Sequence, residues 1–299
     1  MKKSTCIALI FVAACSSTAF SQDGGATPLS ARKTLFSWSL RVASSDEDEG
    51  EEEEEIDTIV TDRPDFTEAS STVGRGTTQL EIGYTFSQDR DGVITSRGHS
   101  CGEPLLRVGI WADWFELRAA LFPAIAVHHA GGVRTKDSGY EDLYLGCKIG
   151  LTEQAGWLPE LAIVPQMTVP TGSSGFTDGK VLPGTNLLYG WDINDTWTFA
   201  GSTQFNQTVA IAGGSYTEWA QSLTVGTALT EKWTMYNEWI ALAPDDSTLA
   251  SVEHYYNGGF TFLVTPDIQW DIRAGTGLSD ASTDFFAGTG LSIRTRAER

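Results

Sequence analysis

From Thr77 onward the hydrophobic positions recur every second residue. Over 77–88, Leu80, Ile82, Tyr84 and Phe86 alternate with Gln79, Glu81, Gly83 and Thr85. Phe115, Leu117, Ala119 and Leu121 alternate with Glu116, Arg118 and Ala120, and Leu143, Leu145, Cys147 and Ile149 with Asp142, Tyr144, Gly146 and Lys148. Successive side chains of a strand point to opposite faces, so each stretch predicts a ribbon with one apolar and one polar face. The pattern predicts twelve strands, over 77–88, 103–112, 115–127, 140–151, 159–170, 183–192, 196–207, 216–229, 232–243, 253–264, 268–279 and 284–294. The alternation is poorest in 183–192 and 253–264.

Ten-residue strands suit a tilted crossing of a bilayer, which takes ~9–11 residues. The predicted connections alternate in length: 14, 12, 12, 8, 9 and 4 residues after odd strands against 2, 7, 3, 2 and 3 after even ones. Long loops at one end and tight turns at the other are the habit of an outer-membrane barrel. Trp111, Trp114, Trp157, Trp191, Trp197, Trp233 and Trp270 all fall near the tight turns. Indoles with one wet edge settle at the headgroup level. A secreted soluble β-sandwich also alternates, but it explains neither the loop lengths nor the Trp belt. The expected fold is therefore all-β, a transmembrane up-and-down antiparallel β-barrel of about 12 strands. An even strand number puts both chain ends at the tight-turn, periplasmic side.

The N-terminus changes the picture by adding an address. Met1-Lys2-Lys3, the apolar Cys6–Cys15 run and Ala19-Phe20-Ser21 read as a signal peptide over 1–21. Val12-Ala13-Ala14-Cys15 offers a competing lipoprotein cut that would lipidate Cys15. Residues 22–60 read as a disordered acidic linker, because nine carboxylates within 46–55 repel one another and bury nothing. A periplasmic lead-in or plug segment follows over 61–76, the barrel over 77–294 and a short tail over 295–299. Formal net charge is −19, which excludes a nucleic-acid backbone as partner. Four cysteines exclude a disulfide-dense scaffold, and a bond between Cys101, placed in a loop, and Cys147, placed mid-strand, is not expected.

Thr61-Asp-Arg-Pro-Asp-Phe-Thr-Glu68 followed by Gly76-Thr-Thr-Gln-Leu-Glu-Ile-Gly83 resembles the opening of the MetA-pathway of phenol degradation family. Phe115-Glu-Leu-Arg118, Tyr140–Lys148, Val169–Ser173 and the run from Asn257 to Ile293 extend the resemblance over about 61–294. It implies an outer-membrane barrel that passes small, often aromatic or hydrophobic solutes, with no catalytic residue and no cofactor. Gly288, Leu291 and Ile293 resemble the final-strand signal read by the barrel-insertion machinery, with Phe286 where a polar residue is usual. The expected partners are thus the outer-membrane bilayer, that machinery and a small hydrophobic solute, and no nucleic acid.

On the inward parity stand Glu81, Arg107, Glu116, Arg118, Asp142, Lys148, Glu218, Glu238, Asp271 and Arg273. A charge in lipid costs ~2–4 kcal/mol at the midplane, so these side chains are expected to line the lumen. Arg107, Glu116, Arg118, Asp142 and Lys148 sit on neighbouring strands and can pair across the ladder or sort solutes by charge. Glu238, Asp271 and Arg273 form a second expected cluster. Asp62, Arg63 and Asp65 can plug the barrel from the periplasmic side, or merely form a periplasmic turn fixed by Pro64. No metal site is expected: His128 and His129 are adjacent on a strand and face opposite ways. Ser251, Glu253 and His254 are the nearest approach to a hydrolase triad, and no motif supports it. A surface barrel without transport remains the other functional reading.

Overall fold

The computed structural model describes residues 58–130, 132–210 and 213–297. The signal peptide, Cys15, the acidic run 46–55 and the linker as far as residue 57 lie outside the described residues. Among the described residues every regular element is a strand: β1 (Thr77–Asp91), β2 (Ile94–Gly109), β3 (Phe115–Ala120), β4 (Pro123–Ala130), β5 (Val133–Tyr140), β6 (Leu143–Thr152) and β7 (Glu160–Val169). There follow β8 (Leu182–Asp192), β9 (Trp197–Val209), β10 (Ser215–Ala228), β11 (Trp233–Pro244), β12 (Glu253–Thr265), β13 (Ile268–Gly277) and β14 (Phe285–Arg296). β3 and β4 both pair with β2, and form one long strand broken at Leu121-Phe122. β5 and β6, which pair with β4 and β3, form another, broken at Glu141-Asp142. The result is twelve antiparallel strands, closed where β1 pairs with both β2 and β14. Closure leaves no unpaired edge within hydrocarbon, the condition for a sheet to cross a bilayer.

Burial is inverted relative to a water-soluble sheet. On β1, Leu80, Ile82 and Tyr84 are 41%, 38% and 39% exposed, whereas Gln79, Glu81 and Thr85 are 1%, 0% and 2% exposed. A sandwich buries its apolar faces against each other; here they cover the outside, so the alternation resolves in favour of the barrel. The expected Trp belt gathers at the tight-turn rim. Trp111 stacks on Phe115 at 5.0 Å, and the Trp191 indole donates to the Trp157 carbonyl at 3.0 Å.

Two expected loops are strand instead. The stretch 89–102 continues as β1 and β2 to a two-residue turn at Gly92-Val93, and 128–139 continues as β4 and β5. Gly92 (φ 57°) and Gly132 (φ 79°) supply the left-handed backbone such tight reversals need. Beyond the bilayer both faces of a strand are wet, so the hydrophobic alternation fades while backbone pairing persists. Cys101 therefore lies within β2, not in a loop, and both Cys101 and Cys147 are free thiols.

Candidate functional site

Between rim contacts near 58 and 76 the chain runs inside the barrel. The Ile59 N–H donates to the Pro266 carbonyl in the tight β12–β13 turn. At the far end the Thr72 hydroxyl meets the Asp113 carbonyl and the Arg75 N–H donates to the Asp113 carboxylate, in the β2–β3 turn. Between these two rim contacts Thr61, Asp62, Arg63, Asp65, Phe66, Thr67 and Glu68 are all buried. The segment thus loops from one side of the tight-turn mouth into the lumen and back to the other.

Asp62 is the centre of one anchorage. Its carboxylate lies 2.7 Å from Arg118 Nη2, 3.0 Å from Lys148 Nζ and 3.3 Å from Arg107 Nη1. Its backbone N–H donates to both Glu81 oxygens (2.9 and 3.0 Å). Arg107 makes a two-pronged contact with Glu116 at 2.9 and 3.0 Å, and Arg118 reaches Glu68 at 2.6 Å. Burial alone would push the Asp62 carboxyl up; the cations Arg107, Lys148 and Arg118 outweigh it and hold it down at about 2.

Arg63 makes the second anchorage. Its guanidinium pairs with Glu103 at 2.6 Å and with Asp271 at 3.3 Å. It lies over Gly83 and Gly290, which face each other across β1 and β14. A Cβ at either position would stand 2.2 Å from an Arg63 guanidinium atom, so both must be glycine for the side chain to fit. The two motif pieces Thr61–Glu68 and Gly76–Gly83 therefore meet in space: Asp62 on Glu81, Arg63 in the slot of Gly83. Arg273 donates to the Pro64 carbonyl and the Thr85 hydroxyl, both at 2.9 Å.

The third anchorage is on the opposite wall. The Glu238 carboxylate accepts the N–H groups of Phe66 (2.8 Å) and Thr67 (2.7 Å), the Thr67 hydroxyl (2.7 Å) and the Asn257 amide (2.9 Å). Above this ionic floor, farther from the tight turns, two inward patches are apolar, while Gln204, Thr208 and Glu218 keep other inward positions polar. One patch is Leu105, Ala120, Phe122 and Tyr144. The other is Phe66, Ala220 and Ile240 with Leu242 and Tyr255.

Most of the expected lumen set thus comes together, though in a different grouping. Arg107, Glu116, Arg118, Lys148 and Glu81 assemble, but around Asp62, and not simply across the ladder. Asp142 does not join them: it sits at the β5–β6 break and accepts the N–H groups of Gly172 (2.9 Å) and Asp178 (3.0 Å), fixing the 170–181 loop. Glu238 does not join Asp271 and Arg273; the lead-in segment separates them, and each holds a different part of it. Glu218 faces inward as expected, and Asp65 is buried. Glu253 and His254, being consecutive on β12, face opposite ways, and the His254 ring stacks on Trp239 at 5.8 Å. Sequence reasoning missed Glu103, Glu68 and the apolar patches. Glu103 was visible only as the first residue of a predicted strand, and its φ of 36° beside Gly102 marks a local irregularity that alternation hides.

A search of curated proteins finds no match. Among solved structures, an outer membrane channel from Pseudomonas putida F1 superposes with a TM-score of 0.58 at 12% identity, over 76% of this chain and 98% of that one. The β domain of the Bordetella autotransporter BrkA gives 0.49 at 11% identity, over 74% and 100%. The translocator domain of NalP from Neisseria meningitidis gives 0.48 at 12%, over 74% and 89%. At such identities the first of these supports the fold alone. The sequence model of the MetA-pathway of phenol degradation family matches residues 61–295, from the opening Thr61–Glu68 motif into the last strand. That match covers well over half of the chain, which accordingly belongs to this family.

Proposed function

We propose that the protein is an outer-membrane channel for the passive passage of small hydrophobic or aromatic solutes, closed at its periplasmic mouth by the segment 58–76. The observation that carries this reading is the layering of the lumen. Two apolar and aromatic patches, one of them including Phe66 of the segment, stand above an ionic floor, and the floor's partner is a stretch of chain, not the barrel itself. An apolar vestibule favours solutes with little hydrogen-bonding demand, because a polar solute would lose water contacts there without replacement. The fold and the family agree with residence in the bacterial outer membrane after export, by way of the insertion machinery. Glu81, Arg107, Glu116, Arg118, Lys148, Glu238, Asp271 and Arg273 act as the plug's seat in this reading, and Asp62, Arg63 and Asp65 as part of the plug.

Deleting residues 22–70 tests it. Single-channel conductance should rise several-fold and swelling of liposomes in phenolic solutes should quicken; an unchanged conductance would sink the plug. A non-transporting barrel is favoured by the density of ion pairs across the mouth, and it predicts that removing the whole protein leaves uptake of every tested solute unaltered. A soluble role predicts a monodisperse protein in plain buffer, which the outward Leu80, Ile82 and Tyr84 argue against.

A further inference from the structure

The ribbon formed by the outer ends of β1, β2, β4 and β5 segregates its charges by face. Register fixes the faces, since residues directly opposite each other in an antiparallel pair share one. Tyr84 and Phe86 are outward on β1, so Gln88 and Arg90 are outward too. Gln88 pairs with Arg97, Arg97 with Val127 and Val127 with Lys136. In the next row Arg90 pairs with Thr95, Thr95 with His129 and His129 with Arg134. Arg90, Arg97, Arg134 and Lys136 therefore all stand on the outward face. The ribbon's carboxylates Asp89, Asp91 and Asp137 take the opposite parity, on the inward face.

This is unexpected in a chain with 39 acidic and 20 basic residues. None of the four cations forms an ion pair with a carboxylate among the described residues; Asp284 accepts only the Arg90 backbone N–H. Arg97 donates to the Gln88 amide oxygen at 3.1 Å, and Val127, opposite Arg97 and Lys136 in register, is buried although it faces out. Guarding the exposed edge of β5 against other strands would be served by charge of either sign on either face. Strict segregation calls for an anionic partner on the outside.

Height along the barrel says which. Gln88 lies eleven residues beyond Thr77, which is ~36 Å of strand and about 28 Å of height at a ~40° tilt. That places Arg97 and Lys136 just past the ~25 Å apolar band of such barrels. Directly below on the same face lie Tyr84, Phe86, His99 and Tyr140, with the Tyr84 hydroxyl bonded to His99 Nδ1 at 2.7 Å. Aromatic rings with polar tips mark the lipid headgroup level. We propose that this face, Arg90, Arg97, Arg134 and Lys136 above the Tyr84 and Tyr140 level, is a docking site for the phosphate groups of an anionic glycolipid in the outer leaflet. The proposal rests on the outer-membrane reading above.

The test uses the full mature chain in mixed micelles with lipid A carrying both phosphates, with dephosphorylated lipid A, and with inorganic phosphate as competitor. The triple variant Arg97→Gln, Arg134→Gln, Lys136→Gln should bind the phosphorylated lipid on the order of a hundredfold more weakly, about fivefold for each cation removed. The inward pair Asp89→Asn, Asp137→Asn should bind within about twofold of the parent, since its charges face away from the lipid. Equal binding by parent and triple variant, or equal binding of both lipids by the parent, overturns the proposal. Displacement by millimolar inorganic phosphate also overturns it, in favour of a free-anion site. Heat-modifiable gel migration reports whether each variant folds; should the triple variant fail, Lys136→Gln alone must still show the fivefold loss. If the parent itself shows no heat-modifiable migration and enters no vesicle, the membrane reading falls; if it inserts and both lipids bind alike, only the docking site does.

Discussion

The two walls of the lumen hold the same segment by different physics. On the β1–β2–β3–β6 wall three cations close on the carboxylates of Asp62 and Glu68, and all five groups are buried. On the β11–β12 wall a single carboxylate, Glu238, gathers neutral donors, two of them backbone N–H groups of the segment itself. The first wall reads mainly charged side chains, with the Asp62 N–H held by Glu81 as well, and leaves charges stranded if one partner is lost. The second reads mainly the backbone at Phe66 and Thr67, with the Thr67 hydroxyl as its one side-chain donor from the segment. If the segment acts as the plug proposed above, its release needs at least one wall that can let go at modest cost. The neutral wall is the better candidate for releasing first.

The difference can be broken most directly at Asp62. Asp62→Asn removes the charge facing Arg107, Arg118 and Lys148, and loss of one partner of a buried charge group costs about 3–5 kcal/mol. Channel opening probability should rise at least tenfold in planar bilayers; an unaltered closed time would show that the ionic wall does not hold the segment. Acid should do the same without a mutation. The Asp62 carboxyl is held at about 2, below its ordinary 3.8. Its stabilising effect is therefore complete above about 4 and is lost as pH falls toward 2. Conductance should climb as pH falls below about 4, and no further rise between 4 and 2 would assign the latch to another group.

Smaller effects sharpen the contrast. Gly83→Ala should unseat the Arg63 guanidinium, costing about 1–3 kcal/mol as an overpacked site and raising protease cutting within 61–70. Glu238→Gln keeps the shape but turns a charged acceptor into a half-donor, for a loss of about 1.5–3 kcal/mol read as shorter closed times. If Glu238→Gln opens the channel more than Asp62→Asn, the assignment of the two walls is reversed. Asp142→Asn should alter only the 170–181 loop, leaving conductance within measurement error.

Period-two alternation made the strand count and the inverted faces legible, because both depend only on which way neighbouring side chains of one strand point; the Trp rim was legible from its closeness to the tight turns. The outer halves of β1, β2, β4 and β5 were hidden for the same reason: with water on both sides, nothing in the residues distinguishes paired strand from loop. The inward charges of Arg107, Arg118 and Lys148 were readable as a set, but not their target.

The sequence by itself determined a ribbon chain with oily and wet faces, the charges the wet face must carry, and the family to which the opening motif points. Only the tertiary structure decided that Asp62 lies among three cations, that Glu238 grips a backbone, and that Asp142 serves a loop. Alternation is a property of each strand alone, whereas contacts across a lumen depend on the stagger between strands and on the path of a segment that belongs to none of them.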